Sequence, residues 1–131
     1  MYEVIRQPSI HSIPLTLTLE GAIVPMERVC FLLKVRNEKI AEYKERHAKV
    51  WPEMLAALTA AGWRNYSLFL RDDGLLIGYC EVESFNKALE GMKQHPVNER
   101  WQQSMASFFE GLHGGGADDN MMRLEEVFHL A

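Results

Sequence analysis

The sequence predicts an α+β domain with the element order β-α-β-β-α-β. Three observations carry this. Short apolar runs of strand length are bounded by turn signals. Two stretches with helical spacing lie between them, each interrupted by a proline. A hairpin signal joins the second and third apolar runs. A chain of 131 residues suits one domain with a real core.

The first strand is "RVCFLLKV", Arg28–Val35, apolar almost throughout and so expected to be covered on both faces. Asn37 is placed to cap the helix that follows. Ile40, Tyr43, His47 and Val50 then recur at helical spacing. Pro52 cannot continue a helix but fits its first turn, so a second helical segment is expected to start there. Met54, Leu55, Leu58 and Ala61 extend the apolar stripe, and Gly62 supplies the stop. "NYSLFL" (Asn65–Leu70) and "LLIGYCEV" (Leu75–Val82) are strands joined by "RDDG". Ser84 caps "FNKALEGMKQ". His95-Pro96 then opens "VNERWQQSMASFFEGL", whose stripe is Trp101, Met105, Phe108 and Leu112. "HGGGADDN" reads as a flexible loop and Arg123–Leu130 as the last strand.

This order predicts a ferredoxin-like antiparallel sheet with both helical layers on one face. The strands are nevertheless apolar on both faces: Val29, Phe31 and Leu33 alternate with Cys30 and Leu32, and Tyr66, Leu68 and Leu70 with Phe69. A face left in water should be polar. The second face is therefore expected to meet an identical subunit, giving a homodimeric α+β barrel whose polar inner groups line a cavity. The domain is expected to span residues 26–131. Residues 1–25 form an extension of uncertain role, in which "IPLTLTLEGAIVP" either pairs as a strand or lies as an arm. Met26 is an alternative start.

Charge and composition narrow the function. The formal net charge is −4, without a basic run, which argues against nucleic acid or an anionic membrane as partner. No apolar run approaches the roughly 20 residues of a membrane span. Pro8, His11, Pro14 and Glu20 interrupt any signal-peptide core. Cys30 and Cys80 lack metal or redox spacing and read as buried, reduced thiols of a cytoplasmic protein. His11, His95, His113 and His129 show no ligand pattern, so no metal site is expected. No phosphate loop or nucleophile elbow is present, and no cofactor is expected.

Tyr43 and His47 stand four residues apart and share one helix face. An imidazole with a pKa near 6.5 gives or takes protons near neutrality, and a phenol one turn away can orient a hydroxyl-bearing substrate. Both residues also suit a packed helix face. Trp51, Trp63 and Trp101 fit core or interface packing, or stacking on the C–H face of a sugar. Tyr66 could project from its strand into a cavity, and Glu81 or Glu83 could act as a base.

Together, "EYKERHAKVWPEM", "NYSLFL", "ERW" and "LEEVFHL" closely resemble the L-rhamnose mutarotase family, from about Met26 to Ala131. The Tyr-x-x-x-His-x-x-x-Trp-Pro-Glu string is the most specific part. The resemblance implies a cofactor-free homodimer that interconverts the α and β anomers of L-rhamnose or a related deoxyhexose. It implies His47 as proton donor and Tyr43, Tyr66 and Trp101 as substrate contacts. Family members often carry Trp-Trp where this chain has Trp101-Gln102, so Gln102 becomes a hydrogen-bonding replacement for the second aromatic contact. Two other classes share the dimeric architecture or the aromatic lining. One is a cofactor-independent or haem-degrading monooxygenase, and the other a sugar-binding module without catalysis.

Overall fold

The structure is a computed structural model that describes residues 15–17 and 23–131. The remainder of the expected N-terminal extension, with Pro8, His11, Pro14 and Glu20, lies outside the described residues. Of the extension, β1 (Leu15–Leu17) and β2 (Ile23–Pro25) are described and pair antiparallel.

The main body is an antiparallel sheet with helices, an α+β arrangement. Strand β3 (Glu27–Val35) lies centrally and pairs along its length with β5 (Leu75–Val82), which pairs in turn with β4 (Arg64–Leu70). On its other side β3 pairs with β6 (Phe109–Glu110) and with β7 (Met122–Leu124). Helices α1 (Ile40–His47) and α2 (Pro52–Ala60) connect β3 to β4. Helices α3 (Phe85–Lys93) and α4 (Pro96–Met105) follow β5.

Burial alternates as period-two geometry requires. Val29, Phe31, Leu33 and Val35 of β3, with Leu76, Cys80 and Val82 of β5, are buried beneath the helices. The opposite face is not covered in the single chain. Met122, Leu32, Ile77 and Phe69 form one cross-strand row there by register. Phe69 is 61% exposed and Met122 64%.

Phe31 is fully buried and lies across from Gly78. A Cβ at position 78 would overlap the Phe31 ring, so the glycine provides the space that the ring fills. Phe31 also stacks on Phe85, with centroids 6.4 Å apart.

Pro52 is the first residue of α2, as its missing N–H favours. The carbonyl of Trp51 accepts from Met54 N and Leu55 N, so the new helix starts without a side-chain cap. Gly62 adopts φ +94° and ends the segment. Ser84 Oγ accepts from Lys87 N and caps α3.

Three expected boundaries shift. Asn37 does not cap: a 3₁₀ turn, Asn37–Lys39, precedes α1, and Arg36 holds the cap position without a side-chain bond. Helix α4 ends at Met105, because Phe109 and Glu110 leave the helical path to pair with Val35 and Lys34. The last strand is paired only over Met122–Leu124; beyond it the chain has no strand assignment. That segment is tethered by the Arg28–Glu126 ion pair at 3.1 Å and by Arg28 Nη1 near His129 Nε2, also 3.1 Å. Val127, Phe128 and Leu130 stay exposed. Among the described residues, no helix is long and apolar enough to cross a membrane.

Candidate active site

Between the helix-facing side of the sheet and the helices lies a small recess of about 50 Å³. The five residues that the family resemblance implied line it: Tyr43, His47, Tyr66, Trp101 and Gln102.

Each is placed by a local cause. The four-residue spacing on α1 stacks Tyr43 on His47, with ring centroids 4.0 Å apart and planes 24° from parallel. His47 meets Trp101 of α4 edge-on at 5.5 Å, and Trp51, in the break between α1 and α2, meets the same indole at 5.0 Å. The break thus brings a second tryptophan against the first. Tyr66 projects from β4, with Trp63 4.8 Å away. Trp63 itself is core, its indole N–H donating to Ala88 O at 3.3 Å.

The protonation of His47 follows from its contacts. Nδ1 lies 3.0 Å from the carbonyl of Tyr43, one turn back. A carbonyl only accepts, so Nδ1 carries a hydrogen and Nε2 is the nitrogen left for proton exchange. Burial lowers the pKa of His47 below 6.5, and the bond to Tyr43 O only partly opposes this. Burial raises both phenols, so Tyr43 and Tyr66 stay neutral. Among the described residues neither hydroxyl has a hydrogen-bond partner, which leaves both open to a ligand.

Gln102 is committed at one end. Its Oε1 accepts from Asp118 N at 3.1 Å, which ties α4 to the 3₁₀ turn Ala117–Asp119. The stretch read as a flexible loop is therefore fixed: Asn120 Nδ2 donates to Gly114 O and Gly116 O, and Asn120 Oδ1 accepts from His113 N. This turn delivers Asp118, which the sequence reading did not single out, to the wall of the recess. The adjacent turn formers Asp118, Asp119 and Asn120 were the available signal.

Glu81 and Glu83 are not in the recess. Glu81 belongs to the uncovered sheet face, where Asn65 Nδ2 (2.8 Å) and Tyr79 Oη (2.7 Å) donate to its carboxylate. Glu83 follows the end of β5 and is exposed.

The L-rhamnose mutarotase family pattern matches residues 28–130. An L-rhamnose mutarotase of Bacillus subtilis is 37% identical over 106 residues, covering 80% of this chain and 99% of the relative. One from Oceanobacillus iheyensis is 35% identical over 108 residues, with the same coverage. The crystal structure of L-rhamnose mutarotase from Formosa agariphila superposes with a TM-score of 0.65 at 26% identity, covering 80% of this chain and 99% of that one. With nearly the whole of each relative matched, and with the recess formed by the residues that the resemblance implied, the chain belongs to the L-rhamnose mutarotase family.

Proposed function

We propose that the recess binds L-rhamnopyranose and that the chain interconverts its α and β anomers by acid–base-assisted opening and reclosure of the ring. The observation that carries this reading is the convergence of Tyr43, His47, Tyr66, Trp101 and Gln102 on one cavity, in a chain that matches the family from residue 28 to 130. His47, through Nε2, protonates the ring oxygen as the C1–O5 bond breaks. The neutral phenols of Tyr43 and Tyr66 hydrogen-bond sugar hydroxyls. Trp101 meets the C–H face, and the free amide end of Gln102 adds a polar contact at the rim. The reaction is redox-neutral and restores every proton, so acid–base groups suffice.

Saturation-transfer NMR on L-rhamnose and a panel of other hexoses tests the reading. Exchange between anomers should quicken with added protein, most for L-rhamnose or a related 6-deoxyhexose. A sugar that binds without faster exchange would sink the catalytic reading.

The uncovered face supports a homodimeric assembly. Its order, β7-β3-β5-β4, supports a ferredoxin-like subunit. The row of Met122, Leu32, Ile77 and Phe69, together with Leu124 opposite Cys30, is an apolar surface that a second copy would cover. Ile77→Asp with Phe69→Asp should convert a dimer into a monomer in sedimentation equilibrium. A parent that already sediments as a monomer at micromolar concentration would overturn the assembly. The protein is cytoplasmic in this reading, in keeping with its unpaired cysteines Cys30 and Cys80. The domain is residues 26–131, and residues 1–25 are an extension outside the family match.

A further inference from the structure

Ring opening needs two proton transfers, and His47 accounts for one. The other removes the proton of the anomeric hydroxyl, which requires an acceptor in the same recess. Of the residues that line it, one is a carboxylate: Asp118. The remaining titratable groups there, Tyr43 and Tyr66, are held neutral by burial.

Asp118 is also built into place. Asn98 of α4 is only 5% exposed, and its Nδ2 donates to Asp118 Oδ2 at 3.3 Å. The Oδ1 of that amide has no partner among the described residues. An amide is thus buried at a cost, and its one bond is to this carboxylate. One helical turn further on, Gln102 Oε1 accepts from Asp118 N at 3.1 Å. Two amides of α4, four residues apart, hold the backbone and the side chain of one aspartate.

We propose that Asp118 is the general base that takes the anomeric proton, held for that task by Asn98 and Gln102. This rests on the mutarotase reading above. The steps balance. The O1–H proton passes to Asp118 as O1 becomes the carbonyl oxygen. The C1–O5 bond breaks with its electron pair on O5, which takes the proton from His47 Nε2. After rotation about C1–C2, O5 attacks the other face of C1. His47 recovers the proton from O5, and Asp118 returns its proton to O1. Both side chains end as they began.

The electrostatics fit the exchange. Burial raises Asp118 above the usual carboxylate range, against an opposing hydrogen bond from Asn98, and burial lowers His47. The two affinities for a proton are brought toward each other, which lowers the free-energy penalty of passing a proton between these groups through the sugar.

The test is Asp118→Asn, which keeps the side-chain size and the backbone bond to Gln102. Anomer exchange should fall about 10²-fold or more, while the Kd for L-rhamnose, read by tryptophan fluorescence, changes little. In Asp118→Ala, added formate should restore exchange above that of His47→Asn in the same buffer. Parental exchange in Asp118→Asn overturns the assignment. So does a loss of exchange matched by a loss of sugar affinity, or a folded Asp118→Ala that formate does not rescue. If the parent itself fails to quicken exchange, the mutarotase reading fails instead. If the parent succeeds and His47→Asn is inactive while Asp118→Asn is normal, only the role of Asp118 fails.

Discussion

His47→Asn should lower protein-catalysed anomer exchange of L-rhamnose by about 10²–10⁴-fold, the usual contribution of a positioned acid or base. The fold should survive, because His47 is half-buried at the end of α1 and the stripe beneath it is carried by Tyr43 and Trp101. Saturation-transfer NMR measures the exchange, and thermal unfolding of the same sample reports the fold. A folded variant exchanging anomers at the parental rate would remove His47 from the mechanism. The pH dependence supplies a second check. The working state needs His47 protonated and Asp118 ionised. His47 faces Tyr43 and Trp101, neither of them charged. Asp118 faces Asn98 and Gln102 of α4, with Lys93 of α3 lowering its pKa and Asp119 raising it. Burial lowers His47, so exchange should fall as pH rises through a value below 6.5. Burial raises Asp118, so exchange should also fall as pH drops toward a value above 3.8. The result is a bell placed on the acid side of neutrality. Exchange that still climbs between pH 7 and 8, after the spontaneous rate is subtracted, would assign His47 the opposite role.

Phe31→Ala should cost about 3–5 kcal/mol of unfolding free energy, a typical value for deleting a buried aromatic ring. The ring is fully buried and touches several layers at once: Gly78 on the neighbouring strand, Phe85 at 6.4 Å and Tyr66 at 6.3 Å. The sheet backbone limits how far the cavity can collapse. Globular proteins hold only about 5–15 kcal/mol in total, so the loss is a large share. Urea unfolding at fixed protein concentration would show a lower midpoint with an unchanged slope. A loss below about 1 kcal/mol would mean that the neighbours close over the space. Phe31 also lines the recess, so sugar affinity should weaken in the same variant.

Much of this fold and site is legible in the sequence. Period-two and period-3.6 patterns located the three long strands and the helices. Pro52, Gly62 and Ser84 acted as local chemistry requires, since each effect stays within one helical turn. Tyr43 and His47 were legible because their proximity is itself a helical property. What escaped notice depends on distant partners. Helix α4 yields to β6 only because Val35 offers a strand edge to Phe109. The last strand shortens because pairing with β3 reaches no further than Leu124 opposite Cys30. Asp118 sits in a glycine-rich stretch without periodicity, and its place is set by Asn98 and Gln102, 20 and 16 residues away. Glu81 looked like an equally good carboxylate, but its strand parity turns it to the other face of the sheet.

The fit of Phe31 over Gly78 carries an evolutionary consequence. Any side chain added at position 78 collides with a ring that has nowhere to go. A smaller residue at position 31 leaves a void unless position 78 grows. Each single step therefore passes through a weakened protein, while the paired exchange restores volume. Descendants of this chain should change these two neighbours together or keep both, and a laboratory lineage selected for anomer exchange should show the same coupling.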